Sequence, residues 1–182
     1  MDETTFWRLM VGTRDAAGGA RDAVAAADQA ECLSEFVSQL PPEEIIAFEN
    51  ILGDKLNAAY RWDLWDAATL INCWCSDDGF LSFRAWLVGQ GPTVYEMAVR
   101  EPDTLADVAD GRCRGKDLLN VALKAYEAKT GQGFPAESRR IGGEDGPVVP
   151  AGKMEDGKAG ADLCRPPETH REVWRTVWVV TR

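Results

Sequence analysis

PPEEIIAFENILGDKLNAA, residues 41–59, is the stretch on which the reading of the fold turns. Two prolines stand at its head. Proline fits the first helical turn, where its missing N–H has no partner to lose, so Pro41 and Pro42 close one helix and open another. Glu43 and Glu44 suit the positive N-terminal end of that helix. Ile45, Phe48, Leu52, Leu56 and Ala59 then recur at spacings of three and four, which draws one apolar stripe along the segment. A helix with a single apolar face needs neighbours to cover it.

The neighbours read outward from there. Asp2 or Thr4 caps a first helix carrying Phe6, Trp7, Leu9 and Met10, and Gly18 and Gly19 interrupt it. A second covers about 21–39, with Val24, Cys32, Leu33, Phe36 and Val37 as its apolar contacts. Beyond the central stretch, a helix is expected from Arg61 to Trp74. A break follows at Ser76–Gly79, then a helix from Phe80 to Val88, with Gly89 and Gly91 as stop signals. Short helices follow near 92–100 and 103–109. A last one from Lys116 to Lys129 uses Leu118, Leu119, Val121, Ala122, Leu123 and Tyr126, and Gly131 ends it.

The fold class is therefore mainly α: a compact multi-helix domain over about 1–130 and an irregular extension over 131–182. The extension holds 8 of the 17 glycines and 5 of the 9 prolines, too many turn formers for a helical period. Val173, Trp174, Val177, Trp178, Val179 and Val180 at its end favour a short β strand, with Pro147–Pro150 as one candidate partner in a hairpin.

The 182 residues carry 20 Lys+Arg against 30 Asp+Glu, for a formal charge of -10, and the whole excess falls within 1–130. Phosphate backbones are held by clustered cations, so nucleic acid is a poor partner for this body. No apolar run is long enough to cross a membrane. The start, MDETTFWRLMVGTRD, lacks the basic head and unbroken apolar stretch of a secretory signal, so a cytoplasmic location is expected. Cys32, Cys73, Cys75, Cys113 and Cys164 are an odd, scattered set, and His170 is the single histidine. Neither a disulfide framework nor a zinc site is expected from them, and no metal or organic cofactor is called for. The motifs of phosphate-binding loops, dinucleotide folds and serine hydrolases are missing.

YRWDLWDAATLINCWCSDDGFLSFRAW, residues 60–86, carries the most chemistry. Trp62, Trp65, Trp74 and Trp86 lie among Arg61, Asp63, Asp66, Asp77, Asp78 and Arg84, and rings beside fixed charges can shape a pocket. Asp63 shares a helix face with Leu70 and Trp74 and needs a partner there; Arg84, returning after the turn at Gly79, is the expected one. Asp77 and Asp78 either hold a cation or serve as acid and base, or one caps the next helix while the other is solvated. Cys75 near a helix start is open to activation by the dipole, without a histidine to assist. Arg112, Arg114 and Lys116 in GRCRGK either meet a phosphate at the start of the last helix or form a solvated loop.

AYRWDLWDAATLI, CSDDGFLSFRAWLVGQG, VYEMAVREPDTLAD and LLNVALKAYEAKTG, with Phe6–Trp7 and LPPEEIIAFE, resemble the bacterial domain-of-unknown-function family 4240 over about residues 2–135. The resemblance implies a bacterial origin and carries over no activity. Family members commonly have small residues where this chain has Cys73 and Trp74, which puts bulk beside any site near Cys75.

Two functions are expected from the residues. The first is a binding or accessory module whose patch is Tyr60, Arg61, Trp62, Asp63, Trp65, Asp77, Asp78 and Arg84. Its partner is a protein or small molecule that is basic or offers an anionic group to the arginines. The second is a small enzyme without organic cofactor, with Asp63 or Asp78 as general base and Arg61 or Arg84 stabilising negative charge. A third, duller reading is an interaction protein that works by its acidic surface alone.

Overall fold

A computed structural model describes residues 1–138. The strand expected at Val173–Val180 and its candidate partner at Pro147–Pro150 lie outside those residues. The described chain is helical. It runs α1 (Glu3–Ala16), α2 (Ala23–Gln39), α3 (Pro42–Ala58), α4 (Trp62–Asn72), α5 (Asp77–Gly89), α6 (Pro92–Arg100) and α7 (Val121–Thr130). Short 3-10 helices occupy Pro102–Asp107, Lys116–Asn120 and Ala136–Ser138.

The helix starts follow local chemistry. Asp2 caps α1 by accepting from the Thr5 N–H at 2.7 Å, and Asp22 caps α2 through the Val24 and Ala25 N–H groups. α3 opens with Pro42 in its first turn and buries Ile45, Phe48, Leu52 and Leu56, the stripe read from sequence. Gly131, in the left-handed region, closes α7. Several boundaries differ from expectation: α2 starts at Ala23, α4 ends at Asn72, and the short helix expected near 103–109 is the 3-10 helix Pro102–Asp107. The segment from Lys116 opens as a 3-10 turn and becomes α-helical only at Val121. α5 begins at Asp77 rather than Phe80, because Ser76 caps it by accepting from the Gly79 N–H at 3.2 Å.

α5 is the centre of the molecule. Phe80 and every residue from Ser82 to Gly89 are buried, so this helix is covered nearly all round. α1, α2, α3, α4, α6 and the Lys116–Asn120 turn all pack on it, while α7 closes over α2 and α3. Polar anchors fix its far end. The Ala20 carbonyl, in the connector between α1 and α2, accepts from Trp86 Nε1 at 2.9 Å and from Gln90 Nε2 at 2.7 Å. Gln29 Nε2 donates to the Gly89 carbonyl at 2.8 Å. Among the described residues no helix is long and apolar enough to cross a membrane.

Candidate functional site

α4 and α5 form a hairpin, and the residues singled out in sequence fall at its two ends. At the open end, Arg61 grips Asp63 with two bonds, Nε to Oδ1 at 3.1 Å and Nη2 to Oδ2 at 2.6 Å. Asp63 also accepts from the Leu64 N–H at 2.9 Å. The expected Asp63–Arg84 pair is therefore not formed. Arg84 is only 7% exposed and donates Nη1 to the Leu56 carbonyl at 2.7 Å. Leu56 lies in the last turn of α3, where carbonyls lack helical partners and the dipole is negative. The helix end takes the place that a carboxylate was expected to fill.

Rings enclose that guanidinium. Its central carbon lies 4.4 Å from the Tyr60 ring centre and 5.0 Å from that of Phe80. Trp65 packs on Phe80 with centroids 4.6 Å apart, and Trp62 on Trp65 at 5.5 Å. Burial pulls the Arg84 pKa down to about 10, so it stays a cation at neutral pH. Tyr60, Trp62, Trp65 and Arg84 are thus one packed cluster, with Arg61 and Asp63 paired at its edge.

At the turn end the surroundings differ. α4 stops at Cys73, whose φ of 65° is left-handed without being glycine. The next residue, Trp74, projects into solvent and is 66% exposed. Asp77 and Asp78 occupy the first turn of α5, both exposed, and neither is its cap. Cys75 is buried, and burial pushes its thiol up to about 11, away from the activated thiolate that a helix start can produce.

The basic loop comes back onto this end. Asn72 clamps it: Oδ1 accepts from the Cys113 N–H at 3.0 Å and Nδ2 donates to the Cys113 carbonyl at 3.3 Å. Gly115 then lies against the backbone of α5, its N–H donating to the Ser82 carbonyl at 2.8 Å. A Cβ at position 115 would come within 2.6 Å of the Trp86 nitrogen, so only glycine fits. Arg114 and Lys116 flank that contact and are held beside the start of α5.

The result is a cleft of about 340 Å³ whose walls include Trp74, Ser76, Asp78, Ser82, Arg114 and Lys116. Ser82 is 6% exposed, and its Oγ has no hydrogen-bond partner. Of the eight residues expected to form a patch, only Asp78 lines this cleft. Asp77 is adjacent to it in sequence, and the other six belong to the opposite end of the hairpin. Trp74, Ser82, Arg114 and Lys116 were not in that set. Arg114 and Lys116 belong instead to the GRCRGK cluster that the sequence offered as either a phosphate contact or a solvated loop, and the glycine between them permits the close backbone approach that brings them to α5. Among the described residues no group of three or more His, Cys, Asp or Glu side chains is arranged to hold a metal ion.

A family model described as a protein of unknown function, DUF4240, matches residues 1–128. The chain belongs to this family. No curated protein and no solved structure is similar enough to count as a match. The DUF4240 match takes in every residue of the cleft and stops within α7.

Proposed function

We propose that this DUF4240 chain is a cytoplasmic binding module that holds a small charged ligand in the cleft at the α4–α5 turn. The observation that carries the reading is the cleft itself. An exposed indole, two cations without ion-pair partners among the described residues and a buried, unpartnered hydroxyl share one concavity. Few, well-placed polar groups beside an aromatic surface are what small-molecule sites use. The loop that brings the cations is fixed by Asn72 and Gly115, so little ordering is needed on binding.

Binding is favoured over catalysis because, of the groups an enzyme would recruit, only Asp78 lines the cleft unpaired among the described residues, and it is exposed to solvent; the others are engaged elsewhere. Asp63 is held by Arg61, Arg84 by the Leu56 carbonyl, and Cys75 keeps its proton.

A thermal-shift screen of the full chain against amino acids, nucleotides, divalent metals and short basic peptides tests the reading. A ligand that binds the native state raises Tm by mass action, with about 2.7 kcal/mol of added stability at a hundred times its Kd. The expected result is a shift of several degrees that disappears in an Arg114→Ala/Lys116→Ala variant and survives in Asp63→Asn. No hit in any class, or a hit indifferent to the loss of both cations, overturns it.

A further inference from the structure

We propose that the ligand of this cleft is a small zwitterion, carrying an amine and an oxyanion on one short skeleton. The inference rests on the binding reading above and names its ligand class. The lining charges are two cations, Arg114 and Lys116, and two carboxylates, Asp78 and Asp117. None of the four forms an ion pair among the described residues, so opposite charges share the cleft without cancelling one another. A simple anion would be attracted by one pair and repelled by the other, and a simple cation likewise. A molecule with both charges satisfies both sets at once.

The groups around the charges sort the same way. On α5, Asp78 and Ser82 are one turn apart and fall on one face. The Gly115 N–H donates to the Ser82 carbonyl, which brings the Arg114–Lys116 loop onto α5, and both cations line the same cleft as Ser82. That Oγ is buried and unpartnered in the wall of a cleft that two cations also line, a donor free for an oxyanion. Exposed Trp74 and Asp78, in the wall of the same cleft, offer a ring face and a carboxylate, a pair that receives an alkylammonium. The oxyanion is either a carboxylate or a phosphate; both meet the same donors.

Calorimetric titration of the full chain decides it. The zwitterions are β-alanine, aminohexanoate and phosphoethanolamine. The single-charge controls are acetate, hexanoate, inorganic phosphate and hexylamine. The expected result is that at least one zwitterion binds about tenfold or more tightly than every control. Whichever of the carboxylate and phosphate zwitterions wins identifies the oxyanion. Asp78→Asn then lowers that affinity to the level of the anionic control, and Arg114→Gln lowers it to the level of hexylamine. Ser82→Ala weakens it while Tm without ligand does not fall, since the buried hydroxyl has no partner to lose. An anion that binds as tightly as any zwitterion overturns the inference and leaves an oxyanion site, so the binding reading stands. Hexylamine alone matching the zwitterions overturns it in the same way. Failure of every probe here, while the thermal screen yields a cleft-dependent ligand of another class, overturns the zwitterion alone; failure of both experiments overturns both readings.

Discussion

The two ends of the α4–α5 hairpin are made from the same residue types and use them in opposite ways. At the Tyr60–Arg84 end, tryptophans, an aspartate and arginines close on one another. The Arg84 cation is stacked between rings and hydrogen-bonded to a helix end, and Asp63 is claimed by Arg61. At the Trp74–Lys116 end, an indole, an aspartate and cations lie around a cleft without pairing. Composition is therefore no guide to which end leaves its charges unpaired. The difference is whether each charged side chain already has a partner, even though Arg84 Nε at the packed end is buried without an acceptor. A satisfied polar cluster specifies packing, whereas an unsatisfied one retains interaction energy for something that arrives later.

The contrast can be broken most severely at its packed end. Phe80 is fully buried against Trp65, Tyr60 and Phe83. Phe80→Ala is expected to cost about 3–5 kcal/mol in urea unfolding, as large aromatic truncations in cores do. A loss under about 1 kcal/mol would mean that this cluster is looser than described and not set apart from the cleft. Gly115→Ala comes next. Its Cβ meets backbone rather than a movable side chain, so overpacking of about 1–3 kcal/mol is expected, together with loss of the ligand-induced Tm shift. Retained ligand response at lowered stability would show that the cations need no such fixed loop.

The smallest effect lies on α4. Burial and the nearby Asp63 carboxylate both raise the Asp66 pKa from its ordinary value. A carboxyl with a raised folded-state pKa binds more protons in the native than in the unfolded chain across that interval. Its ionisation therefore lowers stability as pH climbs through it. Asp66→Asn is expected to raise Tm slightly at neutral pH, with the gain fading as pH falls toward the ordinary carboxylate range and gone below it. A gain that persists in acid would assign the effect to packing instead.

Much of the fold was legible because its signals are local. The Pro41–Pro42 opening, the stripe from Ile45 to Leu56, the Asp2 cap and the Gly131 stop all involve residues within a few positions of one another. The start of α5 lies three residues before the expected Phe80, since Ser76 and not the acidic pair after it caps the helix. The site was less legible. The Asp63–Arg84 expectation followed charge complementarity, but nothing in residues 60–86 announces that the end of α3 is the stronger claimant for Arg84. Arg114 and Lys116 reach the cleft through contacts with Asn72 and Ser82, about forty and thirty residues earlier in the chain. Such pairings follow from tertiary packing, which short-range patterns do not encode.

The Ala20 carbonyl has a further consequence. Connectors between helices are ordinarily where chains tolerate nicking, insertion or new termini. Here the connector is tied by two side-chain donors to the end of the central helix, and Ala20 itself is fully buried with a left-handed φ of 48°. Ala20 is therefore part of the core in all but secondary structure, although Gly18 and Arg21 on either side of it are exposed. A protease would find no foothold at that bond until the central helix let go, and a loop grafted there would unseat Trp86.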